Sequence, residues 1–208
     1  AQQSGKIGVC IATAGPGATN VVTGLANSYT YKLPILALTG ETPTYSFGKG
    51  ALQESSGEGS CINQLDIFRG ITRYNTIVQR TDYILNIFRN STSILLSKNP
   101  GPVLLSFPYN VLKETVDDSL LTEISFFDRH HEAEEDPVPV KEILAMINNA
   151  DYPVVIAGYG CVLSNAEDSI ANFCSKNNFP IATTLKARGI VRESSNLSLG
   201  VLGTTSNE

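Results

Sequence analysis

The chain has 208 residues, 42% of them hydrophobic and 17% charged, an ordinary balance for a soluble globular protein of one large or two modest domains. Its 15 Lys and Arg against 20 Asp and Glu give a net charge of -5, which argues against a nucleic-acid binder, because that needs a basic face. No apolar run approaches the roughly 18 residues of a membrane span, and Ala1-Gln2-Gln3-Ser4-Gly5-Lys6 has neither the charged start nor the apolar stretch of a secretory signal.

The first half alternates strand and helix signals. Ile7 to Thr13 is a short β-rich run that ends at Gly15-Pro16-Gly17. Ala18 to Tyr31 has helical spacing, with Val21, Val22, Leu25 and Tyr29 on one face. Pro34 to Gly40 is nearly continuously apolar, as in a strand buried on both faces of a parallel sheet. Thr42 to Ser60 is rich in Gly, Ser and Glu and reads as a long loop, and Glu41 just before it and Glu54 within it are expected as solvated charges. Asp82 to Lys98 is predicted helical, with Ile84, Ile87, Phe88, Ile94 and Leu95 facing inward, and Asn99-Pro100-Gly101 breaks it. Pro102 to Pro108 is another buried-type strand.

Glu114 to Pro139 is acidic, contains Glu132-Ala133-Glu134-Glu135-Asp136-Pro137, and has the signature of a solvated linker. His130-His131 lie within it, and adjacent histidines point different ways, so a linker is the better reading than a metal site. A second α/β series follows. Val140, Ile143, Leu144 and Ile147 form a helix face, and Pro153 to Ala157 is a strand ending at Gly158-Tyr159-Gly160. Ser164-Asn165-Ala166-Glu167 reads as a capping box opening a helix to about Lys176, and Pro180 to Thr184 is the next strand. This series carries about two strands and two helices, few for an open sheet of usual size. Alternating β and α segments imply a parallel sheet with helices on both faces, and hence two α/β units joined by a linker, the second of them incomplete. The expected division is residues 1–115, a linker at 116–137, and residues 138–208.

Cys10, Cys61, Cys161 and Cys174 form no C-x-x-C pair, which excludes zinc-ribbon and thioredoxin-type sites and fits a reducing, cytoplasmic setting. Cys10 and Cys174 are expected as buried thiols. Cys61, in the Gly-Ser loop, has no identifiable base. Asn90-Ser91-Thr92 and Asn196-Leu197-Ser198 match the glycosylation sequon, but without a secretory signal they are read as coincidence. Lys186 and Arg188 precede a glycine near a strand end and are expected as surface charge.

Gly15-Pro16-Gly17 joins a strand to a helix, where glycines allow close approach and proline suits a first-turn position. No Gly-Lys-Ser/Thr follows, so it is not a phosphate P-loop, and Asn20 stands where a dinucleotide fingerprint needs its third glycine. Ile11 to Ala26, through Ala14-Gly15-Pro16-Gly17-Ala18-Thr19-Asn20, resembles the strand–turn–helix of the pyrimidine-binding domain in thiamine-diphosphate-dependent enzymes. The subgroup is that of acetolactate synthase, pyruvate oxidase and benzoylformate decarboxylase. Pro34 to Pro43 is similar to the family's next strand and loop. Ala51-Leu52-Gln53-Glu54 is similar to its Phe-Gln-Glu segment, with leucine for phenylalanine, though the loop from Gln53 to Ile71 is longer than the family pattern. Phe68 to Asn75 and Pro100 to Pro108 continue the likeness in order. Pro153 to Gly160, Pro180 to Leu185 and Leu199 to Gly203 resemble the opening of the family's central domain, which implies an incomplete Rossmann-like α/β fold for the second unit.

The resemblance implies a thiamine-diphosphate-dependent enzyme that makes or breaks a C–C bond beside a carbonyl, by carboligation or decarboxylation of a 2-oxo acid. It implies Mg2+ with the diphosphate, a homodimer or homotetramer, and FAD as a further candidate cofactor near Gly158-Tyr159-Gly160, although a plain βα turn in an empty structural domain is the better reading of those residues. Gly15, Pro16, Asn20 and Gln53 would line the cofactor, with Asn20 and Gln53 offering neutral donors and acceptors. Asn20 equally suits a helix cap, and Gln53 an exposed loop position. No catalytic or metal residue is assigned. The family's catalytic glutamate would lie upstream of this chain, and its metal and diphosphate motif in a later domain. The 208 residues alone are therefore expected to be inactive. The alternative is a non-catalytic nucleotide-binding or assembly module.

Overall fold

The computed structural model describes residues 1–118 and 139–203. The chain divides into two compact units, Ala1–Glu132 and Ala133–Glu208. Most of the acidic linker, and His130-His131 with it, lies outside the described residues.

The first unit is a parallel four-stranded sheet in the order β1-β2-β4-β3. The strands are β1 (Gly8–Ala12), β2 (Ile35–Glu41), β3 (Tyr74–Ile77) and β4 (Val103–Pro108). Cys10 pairs in register with Ala37, and Ala37 with Leu104. Successive strand residues turn to opposite faces. Leu36, Leu38, Val103 and Leu105 join one core with Ile87, Phe88 and Leu95 of α4 (Ile84–Leu95). Ala37 and Leu104 join the other, with Val22 and Leu25 of α2 (Val22–Thr30) and Leu65 and Phe68 of α3 (Gln64–Arg69). Helices thus cover both faces, which explains why β2 and β4 read as unbroken apolar runs. At the β1 edge the cover is partial, because Val9 and Ile11 remain exposed.

The single helix expected over Ala18 to Tyr31 is two. α1 (Pro16–Asn20) starts earlier, and Val21 separates it from α2. Val21 N–H donates to the Ala18 carbonyl at 3.1 Å, a three-residue closure that tightens the chain at the join. α3 and β3 occupy a stretch in which no element is legible by period, and α3 is opened by Asn63, whose side chain accepts from Asp66 N–H at 3.2 Å.

The second unit has a parallel sheet in the order β5-β6-β7, made of β5 (Val155–Ala157), β6 (Ile181–Thr184) and β7 (Ser198–Leu202). Among the described residues it contains one strand more than the two or so expected. Its helices are α5 (Val140–Asn148), α6 (Tyr159–Leu163) and α7 (Glu167–Asn177). Ala157, Ile181 and Cys174 form the core with Ile170 and Val162. The Ser164 to Glu167 segment is not a capping box. Ser164 Oγ donates back to the Gly160 carbonyl at 2.8 Å and so closes α6, while Ala166 opens α7 without a side-chain cap. The α5 face is formed as read, but Val140, Ile143 and Leu144 on it are exposed. Among the described residues no helix is long and apolar enough to cross a membrane.

Candidate functional site

In open parallel sheets, loops leaving the carboxyl ends of the strands gather the ligand-facing residues. In the first unit these are the turn after β1 and the long loop after β2. Three glycines set their spacing. A Cβ on Gly17 would lie 2.5 Å from Thr13 Cγ2, and one on Gly40 would lie 3.3 Å from the Ala14 nitrogen. The first approach closes the Thr13–Gly17 turn on itself, and the second lets that turn lie against β2. Gly15, at φ 57° and ψ -110°, caps the start of α1, with Pro16 at the first helical position. A Cβ on Gly15 would lie 3.1 Å from Gln53 Cβ, 3.2 Å from its carbonyl oxygen and 3.3 Å from its Cα.

The structure therefore brings Gly15 and Gln53 together across 38 residues of sequence (53 minus 15). Gln53 is exposed and holds a left-handed φ of 62°, a conformation costly for a non-glycine residue and one that surrounding contacts must enforce. Pro16 and Asn20 are also exposed and lie four residues, about one turn, apart on α1. Asn20 is the last residue of α1 and does not cap its start.

The loop around Gln53 is fastened at several points. Thr44 N–H donates to Asn110 Oδ1 at 2.9 Å, and Asn110 Nδ2 donates to Thr44 Oγ1 at 3.0 Å, tying the loop to the end of β4. Glu41 and Glu54 are not the solvated charges expected from sequence. Their exposures are 4% and 7%. Each sits among donors supplied by the loop itself, which local composition does not reveal. Glu41 Oε1 accepts from Thr42 N–H at 2.8 Å and Ser55 N–H at 3.2 Å, and Glu41 Oε2 lies 2.6 Å from Ser55 Oγ. Ser55 Oγ lies 3.1 Å from Gln64 Oε1, and Gln64 Nε2 lies 2.9 Å from Thr39 Oγ1. Thr39, Glu41, Ser55 and Gln64 are all buried.

Glu54 accepts from Ser56 Oγ at 2.8 Å, from Ala51 N–H at 3.0 Å and from Gly48 N–H. The Ser56 hydroxyl, then the Gly48 and Ala51 amides, hold its carboxyl down to about 2 from an ordinary 4.5, against the opposing effect of burial. The folded value lies below the unfolded one, so this contribution to stability is complete above about 4.5 and is lost as pH falls through about 2. Wild-type protein should thus keep the 48–56 segment fastened at pH 4.5, where a free glutamate is half protonated, whereas Glu54→Gln should loosen it even at pH 7. Acid titration followed at the Gly48 amide by NMR checks this. A midpoint near 4.5 in the wild type would contradict it.

Burial, and secondly the hydrogen bond to Glu54, push the Cys61 thiol up, so Cys61 is not an activated nucleophile at neutral pH. Cys174 is buried as expected, but Cys10 is only half-buried, because β1 lies at the sheet edge. Burial pushes both thiols up.

In the second unit, Gly158 caps α6 at the end of β5. A Cβ on Gly158 or Gly160 would meet nothing within 4 Å, so internal packing does not require these glycines. Lys186 Nζ lies 5.9 Å from the Tyr159 ring centroid, and Arg188 pairs with Glu193 at 2.7 Å on the surface. Among the described residues no three His, Cys, Asp or Glu side chains converge as a metal site.

Residues 1–60 match the family model described as the thiamine pyrophosphate enzyme N-terminal TPP binding domain, and residues 140–208 match the thiamine pyrophosphate enzyme central domain. The chain is 34% identical over 206 residues to a probable acetolactate synthase large subunit of Methanococcus aeolicus, covering 98% of this chain and 33% of that protein. It is 34% identical over 205 residues to the acetolactate synthase large subunit of Lactococcus lactis, covering 98% of this chain and 34% of that protein. An acetolactate synthase of Arthrospira platensis is 33% identical over 209 residues, covering 98% of this chain and 34% of that protein. The chain spans about a third of the length of these relatives. With two domain models of one family matched in succession, and relatives aligned along nearly its whole length, the chain belongs to the thiamine pyrophosphate enzymes, on the acetolactate synthase side of that family.

Proposed function

We propose that the chain forms part of an enzyme of the acetolactate synthase type, which makes or breaks a C–C bond beside the carbonyl of a 2-oxo acid. The observation that carries this reading is the seating of Gln53 on Gly15, with Pro16 and Asn20 exposed on the adjoining helix. Residues 1–115 would be the pyrimidine-binding domain, 116–137 a linker, and 138–208 the first part of the central domain. Thiamine diphosphate, when bound, would supply the carbon that adds to the substrate carbonyl.

The chain's own residues would act by placement. Gly15 removes the side chain that would separate the turn from Gln53. The Gln53 amide and the Asn20 amide each offer a donor and an acceptor without net charge, which suits an aminopyrimidine ring. The described residues do not fit a Mg2+ site, so no step is assigned to a metal. FAD is a further candidate cofactor. The open space at Gly158 and Gly160 would let a nucleotide approach the backbone there. A homodimer or homotetramer, a cytoplasmic setting, and no nucleic-acid or membrane partner complete the reading.

The test is an assay of the complete enzyme with 2-oxo acids, with and without thiamine diphosphate and Mg2+. Turnover that depends on the cofactor is expected, and none from the 208-residue chain alone. A complete enzyme without cofactor-dependent turnover, yet binding FAD, CoA or ADP in calorimetry, would favour a nucleotide-binding module instead.

A further inference from the structure

We propose that Glu41 is a positioning residue, whose buried carboxylate acts through Ser55 to hold the Gln53 segment on the Gly15 turn. The geometry is that of a clamp. Glu41 ends β2, next to Gly40, where a Cβ would lie 3.3 Å from the Ala14 nitrogen of the turn. Ser55 lies two residues after Gln53 and gives Glu41 both its N–H and its hydroxyl, at 3.2 Å and 2.6 Å. One carboxylate thus bridges the strand beneath the turn and the loop above it. A buried charge is costly unless hydrogen bonds compensate it. Among the described residues Glu41 has no ion pair, and Thr42 and Ser55 supply its donors. The contacts place the cost of a buried charge beside the one segment where Gln53 is held at left-handed φ.

Proton counting shows how the clamp works. The Ser55 hydroxyl has one hydrogen, yet its oxygen lies near Glu41 Oε2 and Gln64 Oε1. With Glu41 ionised, that hydrogen goes to the carboxylate. The Gln64 amide, whose oxygen lies by Ser55 Oγ and whose nitrogen lies by Thr39 Oγ1, must then exchange the two, so that nitrogen donates to Ser55 Oγ and oxygen accepts from Thr39 Oγ1. The donors then run Thr39 to Gln64 to Ser55 to Glu41, with one donor and one acceptor at each link. Glutamine at position 41 would reverse the chain and keep every link in it. Its nitrogen would donate to Ser55 Oγ, and the Ser55 hydrogen would turn to Gln64. Alanine at either 41 or 55 breaks the chain.

Hydrogen–deuterium exchange on the full chain tests this. In Glu41→Ala and Ser55→Ala, the hydrogen-bonded amides of Glu54 and Ser55 should exchange about tenfold or more faster, the scale of a lost hydrogen bond to a charged group. Those of Val103–Pro108 in β4 should keep the wild-type rate, and Glu41→Gln should keep wild-type protection throughout. Strand amides quickening in step with the loop would mean that the carboxylate merely supports the fold, and would overturn the proposal. Unchanged loop exchange in both alanine variants, or Glu41→Gln as loose as Glu41→Ala, would also overturn it. If Glu41→Ala does not fold, Ser55→Ala decides.

The meaning of the clamp for catalysis rests on the proposed function. In the complete enzyme, Ser55→Ala should raise the Kd for thiamine diphosphate about tenfold, matching the release of the loop. A released loop with an unmoved Kd would refute the link from Gln53 to the cofactor. A wild-type enzyme that binds no thiamine diphosphate would refute the functional reading, while the exchange result would still decide the clamp.

Discussion

Phe68→Ala is expected to destabilise the first unit by about 3–5 kcal/mol, the usual cost of truncating a fully buried aromatic residue. Phe68 is 0% exposed and packs with Leu25, Ala37 and Leu104 beneath the sheet. Its carbonyl also accepts from Thr72 Oγ1 at 2.7 Å, so the turn after α3 is built on it. At about 4 °C per kcal/mol for a unit of this size, the melting temperature should fall by about 10–20 °C. Phe68→Leu should cost under about 2 kcal/mol, because it keeps most of the volume. Scanning calorimetry checks both. The effect should reach the site, since Gln64 lies one turn before Phe68 on α3 and takes part in the Ser55 chain. A fall below about 1 kcal/mol would mean that the cavity collapses, and that α3 is held by something other than this ring.

How much of this was legible follows the physics of each element. β1, β2 and β4 stand out because parallel strands covered on both faces are continuously apolar, and α4 because its twelve residues give a clear period. α3, with six residues, and β3, with four, are too short to show a period. The available signals were local ones, Asn63 three residues before Asp66, and the run Tyr74-Asn75-Thr76-Ile77-Val78. Ser164 misled because a hydroxyl beside a helix end can bond backward as well as forward. Within the site, the glycine turn was legible from its residues, and Gln53 only through resemblance. Glu41 was misread because carboxylates are usually exposed, and its partner chain is assembled by folding. Ser55 lies 14 residues away, and Gln64 reaches a threonine 25 residues before it. Composition marked that loop as polar; which polar atoms face inward is a tertiary fact.

Gly15→Ala is expected to be the most damaging single-atom addition at the site. The φ of 57° with ψ of -110° is a conformation that essentially only glycine occupies, so alanine pays about 1–3 kcal/mol of strain before any contact is counted. The new methyl would also press on the Gln53 backbone, at 3.2 Å from its oxygen and 3.3 Å from its Cα. Backbone atoms held by the Ser55 clamp cannot swing aside as a side chain does, so the loop must lift. Gly17→Ala makes the contrast. Its methyl would meet Thr13 Cγ2, a side-chain atom, at 2.5 Å, so Thr13→Ala should rescue Gly17→Ala and leave Gly15→Ala unrescued. Gln53→Gly should relieve Gly15→Ala only in part, because it removes the Cβ contact and the left-handed strain at position 53 but leaves the oxygen and Cα in place. Asn20→Ala should leave stability within about 0.5 kcal/mol, as for an exposed residue away from packing, while weakening thiamine diphosphate binding if Asn20 faces the cofactor. Melting temperatures of these variants, read beside their cofactor Kd, separate the seating of the loop from recognition of the ring. Gly15→Ala with an unshifted melting temperature would show that Gln53 does not depend on this turn for its place.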